Sequence, residues 1–470
     1  MNRQHRDIVV AFLGLGLSAF TACSGNPSSG GSNTAGGSNG TNGGASDPGG
    51  TTITDGGSLG TGGSHSNGGV PSTGGAGNTG TCMVGTLLTS LGKNALIVGA
   101  SMEDATATAA PFDGRYLYLS GGYFDGSDPC TSCASGCTTN GTSCANSAGG
   151  CGWWGCWQWD QDPPGAYVSG LVTKAASATY NGAGHAQVPM FTYYQVLQAS
   201  GSSEGAAEVK ALNNATFLHK YFADFRLMLQ KIGSSVALVH IEPDFWGYVE
   251  QSGSDPHAMA APVTTANPTD CASIENSVAG FSRCLIAMTR KYSANARVGL
   301  HASAWGTNID VLANTSASFD VAGEGKKLGN YLLALGAAEG DFVVADMSDR
   351  DAGYYQQQGR NTWWDNTNAK LPNFHQAFTW AKAVSDTVGK PILWWQIPVG
   401  NMSENNTSNH YTDNRVDYLF SHPNEVVAAN GAGMFFGAGD GQQTTPESDG
   451  GNLISKTIAN AKAGGTPMCK

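Results

Sequence analysis

After residue 82 the chain alternates between short, nearly continuous apolar runs and longer stretches with helical spacing. The runs are Ala95–Ala100, Tyr116–Ser120, Val188–Tyr194, Val236–His240, Arg297–His301, Phe342–Ala345, Ile392–Trp395 and Gly433–Phe436. A run apolar at every position, rather than at every second one, belongs to a strand covered on both faces, as in a parallel sheet. Between the third and fourth runs, Phe217, Leu218, Tyr221, Phe222, Phe225, Met228, Leu229 and Ile232 recur at spacings of three and four, and Gly233 follows. That is one apolar helix face with a stop signal after it. Ile274 to Tyr292 and Phe374 to Val388 repeat the pattern.

Eight such strands with helices between them predict an α/β fold, a (β/α)8 TIM barrel spanning residues 82–470. A doubly wound open sheet is the alternative. It is disfavoured because no dinucleotide-type glycine motif follows the first strand.

The chain before residue 82 is of another kind. Arg3 and Arg6 precede an apolar run from Ile8 to Phe20, which is too short for a stable membrane helix, and Thr21 and Ala22 lead into Cys23. This resembles the lipobox of bacterial lipoproteins. The resemblance implies a signal peptide over 1–22, lipidation of Cys23 and a place in the bacterial cell envelope, held to the membrane only through the lipid and facing the periplasm or exterior. Residues 24–81 contain no Lys, Arg, Glu, Phe, Tyr or Trp. A segment with so little apolar surface cannot offset its ordering entropy, so residues 23–81 are expected to be a flexible tether with an r.m.s. span of about 40 Å.

Cysteine usage agrees with export. The chain has 11 cysteines, and setting Cys23 aside leaves an even number for an oxidising compartment. Cys130, Cys133, Cys137, Cys144, Cys151 and Cys156 crowd a Gly/Ser/Thr-rich loop (125–165) inserted after the second strand. Cys271 and Cys284 form a local pair, and Cys82 and Cys469 flank the domain, where a closed barrel brings its ends together. Disulfides are expected for all three groups. Zinc in the loop is the alternative, disfavoured by the lack of a histidine between Cys130 and Cys156. Trp153, Trp154, Trp157 and Trp159 in the same loop read either as a sugar-binding platform or as the loop's own small core.

A formal net charge of −12 argues against nucleic acid as a partner. Only 13% of residues are charged, against 11 Trp, 15 Tyr and 17 Phe, a balance suited to a neutral ligand such as a sugar chain.

In a barrel of this kind the active site lies at the C-terminal ends of the strands. There the sequence places Tyr193 on strand three, Glu242, Asp244 and Trp246 after strand four, and His301 and Trp305 at the end of strand five. Asp346 and Asp349 follow strand six, Trp395 and Gln396 end strand seven, and Asp440 follows strand eight. Acids, carboxamides and aromatics on one rim suit glycoside cleavage, in which two carboxyl groups work on the acetal and aromatic faces carry sugar rings.

The stretch Ile241-Glu242-Pro243-Asp244 resembles two families of barrel glycoside hydrolase. The large retaining clan carries Asn-Glu-Pro there, with the glutamate as acid/base, and family 6 cellulases carry Glu-Pro-Asp. Asp346-Met-Ser-Asp349-Arg350-Asp351 is similar to the Asp-x-x-Asp-Arg-Asp stretch of family 6. Against the retaining clan, Ile241 replaces the Asn and Gln396 stands where its nucleophilic glutamate would be. Against family 6, the two motifs occur in the opposite order.

These resemblances imply a glycoside hydrolase at the level of the barrel superfamily, with no cofactor. With no carboxylate on strand seven, an inverting mechanism is expected. Glu242 would be the general acid and Asp346 or Asp349 would activate water. Asp244, Gln396 and His301 would hold sugar hydroxyls, together with Asp440. Trp246, Trp305, Trp395 and Tyr193 would supply aromatic contacts. Two other readings stand beside it. His240, Glu242 and Asp244 alternate, so with His301 and Asp346 they are candidate ligands of a divalent cation. Gln396 also fits a carbohydrate-binding protein that has lost its nucleophile.

Overall fold

The structure is a computed structural model that describes residues 82–120, 165–437, 439 and 442–468. All eight predicted strands form: β1 (Ile97–Ala100), β2 (Gly114–Leu119), β3 (Val188–Tyr193), β4 (Ala237–Ile241), β5 (Ala296–His301), β6 (Phe342–Asp346), β7 (Ile392–Ile397) and β8 (Gly431–Phe436). They close into a parallel barrel in chain order, with β8 pairing β1 from Ile97↔Gly433 to Ala100↔Phe436. The (β/α)8 barrel is therefore the fold, and the open sheet is excluded.

The helices used below are α1 (Met83–Ser90), α2 (Val196–Ser200), α3 (Ala206–Ala211), α4 (Ala215–Ile232), α5 (Phe245–Ser252), α6 (Val278–Tyr292), α7 (Ala352–Gln357) and α8 (Phe374–Val388). The α4 helix starts where Asn214 accepts from the amides of Thr216 and Phe217, and it stops at Gly233, whose φ of 59° suits glycine. Its buried face is the predicted set from Phe217 to Ile232. The α8 helix has the predicted bounds. The α6 helix begins four residues later than expected because Ser277 caps it, accepting from the Gly280 amide.

The α1 helix lies against the N-terminal end of the barrel, where Ser90 accepts from Arg297 at the start of β5. The chain's far end returns to the same place: Leu96 donates to the Thr466 carbonyl at 3.0 Å, and Ala95 bridges Pro467. Cys82 is disulfide-bonded, and its predicted partner Cys469 lies outside the described residues. Cys271 and Cys284 are bonded as expected, with Cα atoms 5.6 Å apart. Cys23, the tether and the six cysteines and four tryptophans of the loop after β2 also lie outside the described residues.

Strand alternation sorts the side chains. Tyr193 and Trp394 point outward to the helix layer, where they meet Phe225 and Phe378. Tyr116, Tyr118, Thr192, His240, His301, Asp346, Trp395 and Phe435 line the interior, joined by ring contacts and short polar contacts across the barrel. Gly99 and Gly114 make room for Phe435; a Cβ on either would meet its ring at 2.6 or 2.7 Å.

Candidate active site

The upper layer of the barrel interior is polar, and the acids of the rim stand above it. Asp244 heads α5 with a φ of 63°, part exposed at the C-terminal mouth. Burial, outweighing the nearby His301, and then the charges of Asp346, Glu208 and Asp349 push its carboxyl up to about 8. These three carboxylates lie close enough to Asp244 to disfavour its ionised form.

Asp346 ends β6, its side chain 23% exposed and its Oδ1 3.3 Å from His301 Nε2. Asp349 accepts from Arg350 at 2.7 Å and from the Tyr355 hydroxyl of α7, and burial raises its carboxyl above the usual range. Asp351, the last acid of the motif, has a different task. Its Oδ1 accepts from the Gly400 amide and its Oδ2 from the Thr444 amide, both at 2.9 Å. It ties together the segments that follow β6, β7 and β8, and thereby sets the height of the rim.

Several predicted positions need correction. Glu242 does not reach the mouth. A φ of 48° breaks strand alternation at this residue, and the carboxylate is fully buried toward the helix layer. It accepts from the amides of Gln195 at 3.0 Å and Val196 at 3.2 Å and from the Tyr221 hydroxyl of α4 at 2.6 Å. Burial outweighs these donors and pushes it up to about 7. It anchors the start of α2, away from the barrel mouth where the general acid was expected.

Trp246 is 1% exposed; its indole donates to the Ile241 carbonyl at 3.0 Å and packs on Phe245 and Phe281, so it offers no stacking face. Tyr193 is buried outside the barrel, donating to Asp224 at 2.6 Å. His301 is 1% exposed, with Nδ1 facing His240 and Nε2 facing Asp346 below the mouth. Trp395 is 3% exposed and forms part of the floor under Tyr118, with His240 and His301 at its ring, rather than an open platform.

Other predicted residues stay at the rim. Trp305 is part exposed and packs on Tyr248 at 4.6 Å between ring centroids. Gln396 has a φ of 53° and lies against Gly439, where an added Cβ would fall 1.5 Å from its Nε2. Asp440 lies outside the described residues. Of the set proposed for a divalent cation, Glu242 faces away, and both nitrogens of His240 are engaged by Thr192 and His301. Among the described residues no group of three or more His, Cys, Asp or Glu side chains is placed to hold a metal ion.

Sequence reasoning missed Tyr116 and Tyr118. Their hydroxyls, like the Trp395 indole N–H, are buried without a partner among the described residues. Buried polar groups are normally paired, so unpaired donors converging on one mouth point to a polar ligand or to water. Their signal in the sequence was the alternation Tyr116-x-Tyr118 along β2, which puts both rings inside the barrel.

No protein-family model and no curated protein matches the chain. Among solved structures it is similar to a family 26 endo-β-1,4-mannanase from Cellulomonas fimi, at 12% identity over 81% of this chain and 74% of that one, with a TM-score of 0.40. It is also similar to a family 5 xyloglucan-specific β-1,4-glucanase from a ruminal metagenomic library, at 13% identity over 78% and 89%, with a TM-score of 0.43. A third is an endoglucanase from Mycobacterium tuberculosis, at 13% identity over 49% of this chain, with a TM-score of 0.27; the chain spans 56% of that structure's length. These neighbours are glycoside hydrolases.

Proposed function

We propose that the chain is a glycoside hydrolase acting on a polysaccharide or oligosaccharide by inversion. The observation that carries this reading is the pairing of an acid raised to about 8, Asp244, with the carboxylates of Asp346 and Asp349 at one barrel mouth. An inverting enzyme needs a proton donor that stays protonated at neutral pH and a carboxylate that takes a proton from water on the other face of the sugar. Asp244 is the donor, and Asp346 or Asp349 is the base. Gln396 at the end of β7 supports inversion over retention, because a carboxamide cannot form a glycosyl ester. Tyr116, Tyr118 and Trp395 offer hydrogen-bond donors to sugar hydroxyls. The Cys23 motif supports a lipid-anchored envelope protein, which incorporation of labelled palmitate, abolished by Cys23→Ser, would test.

The deciding experiment is reducing-sugar release from a panel of plant and microbial polysaccharides, followed by proton NMR of the newly formed anomer. Asp244→Asn is expected to lower kcat by about a hundredfold to ten-thousandfold with little change in binding. Near-normal turnover by that variant, or a first product of retained configuration, overturns the assignment. Sugar binding without any turnover by the wild type favours the second reading, a carbohydrate-binding protein.

A further inference from the structure

Four neighbouring strands each contribute one polar side chain, near the strand's C-terminal end, to a row inside the barrel. Thr192 of β3 lies opposite His240 of β4 in the strand register, and their Oγ1 and Nδ1 atoms are 3.2 Å apart. His240 Nε2 is 3.1 Å from His301 Nδ1 of β5, and His301 Nε2 is 3.3 Å from Asp346 Oδ1 of β6. That last contact has ion-pair distance but lies off the hydrogen-bonding line, so Nε2 has no hydrogen-bond acceptor among the described residues. The two imidazoles are 0% and 1% exposed, and the Trp395 ring packs against both, at 4.8 and 5.8 Å between centroids.

The order of protons along this chain follows from its two ends. Burial, and then the neighbouring His301, hold His240 well below the usual imidazole range, so it is neutral with one N–H. If that proton sat on Nδ1, His240 Nε2 would accept from His301 Nδ1–H. A neutral His301 would then turn a bare Nε2 lone pair on Asp346, which repels a carboxylate. If it sits on Nε2, Thr192 donates to His240 Nδ1, His240 donates to His301 Nδ1, and His301 presents Nε2–H to Asp346. Of the two orders open to a neutral His301, only the second turns an N–H rather than a lone pair on Asp346.

We infer that His301 is a positioning residue for Asp346, and that Thr192 and His240 act through it by fixing which nitrogen carries its proton. A small movement brings the Nε2–H onto Oδ1 and leaves Oδ2 for the attacking water. The inference rests on the glycosidase reading and names Asp346, rather than Asp349, as the base. It also accounts for two buried histidines that serve no packing need a phenylalanine would not meet better.

The test is long-range 1H–15N correlation NMR of the histidine rings in the full chain, which needs no substrate. The expected result is His301 protonated at Nε2 and His240 at Nε2. His240→Phe, which keeps a ring but removes the donor, is expected to shift His301 toward the other tautomer. It should also lower kcat about tenfold to a hundredfold at near-constant KM. His301→Gln, which restores a donor near the Nε2 position, should recover part of what His301→Ala loses. Protonation of wild-type His301 at Nδ1, or an unchanged tautomer and kcat in His240→Phe, overturns the inference. A wild type that hydrolyses no glycan defeats the activity reading instead, while the tautomers still decide this one. Should His240→Phe fail to fold, the wild-type spectrum and the Gln–Ala comparison at His301 remain decisive.

Discussion

Tyr221 donates its phenolic hydrogen to Glu242 across 2.6 Å, so the carboxylate that follows β4 is held by the helix layer and not by the barrel mouth. Two backbone amides at the start of α2 share the same carboxylate. Glu242→Gln keeps an acceptor oxygen for these donors and should leave kcat near wild type. Glu242→Ala strands three buried donors, and Tyr221→Phe strands one acceptor; each unmade bond costs about 1–3 kcal/mol. Chemical denaturation and steady-state rates on the three variants check this. A collapse of kcat in a folded Glu242→Gln protein would restore Glu242 to the chemistry.

The pH dependence of stability follows from the same burial. Glu242 is raised to about 7 and Glu208 to about 8, both by desolvation, from an ordinary value of 4.5. Between pH 4.5 and these raised values the folded state binds more protons than the unfolded one, so stability falls as pH rises through that window. The Tm from calorimetry should be higher at pH 5.5 than at pH 8, and Glu208→Gln should flatten the slope. Asp270, which Lys291 and Arg226 hold far below the usual carboxylate range despite its partial burial, contributes only at much lower pH and does not offset the trend.

The eight strands and the main helices were legible because burial on two faces and the 3.6-residue repeat are local signals. What the pattern misjudged was direction at the strand ends. His240, Glu242 and Asp244 alternate in sequence, but positive φ at Glu242 and Asp244 ends the alternation and sends the two acids to different layers. An aromatic after a strand reads equally as a sugar platform or as packing, and Trp246 proved to be packing because its indole reaches back to Ile241. The Thr192–His240–His301–Asp346 row carried a signal of its own: consecutive strands each carry one of Thr, His, His and Asp near the C-terminal end. Finding it requires the register between strands, which only the closed barrel supplies.

Asp351 gives the rim its shape by accepting two amides that follow different strands, Gly400 and Thr444. In Asp351→Asn one oxygen becomes an NH2 group, which faces an amide N–H and cannot accept from it. The expected cost is about 1–3 kcal/mol of stability, together with a raised KM because the loops that carry the ligand loosen. Equal stability with an unchanged KM would mean the two loops hold their places without it.

The last expectation concerns the donor itself. Asp244 must be protonated to deliver a proton to the leaving oxygen, so kcat should fall as pH rises through about 8. Part of that raised value comes from Glu208, which caps α3 by accepting from the Gly205 amide at 3.0 Å and, itself raised to about 8, gains its negative charge over the same pH range in which Asp244 titrates. Glutamine at 208 keeps the capping oxygen and removes the charge. The acid form of Asp244 is then less favoured, and the alkaline limb of the pH–rate profile should move to lower pH while the rate on the acid side stays unchanged. Removing a charge that does not act on the donor would leave the limb where it was. A limb that does not move in Glu208→Gln would therefore separate Asp244 from the group that titrates, and a limb that moves upward would contradict the sign of the coupling.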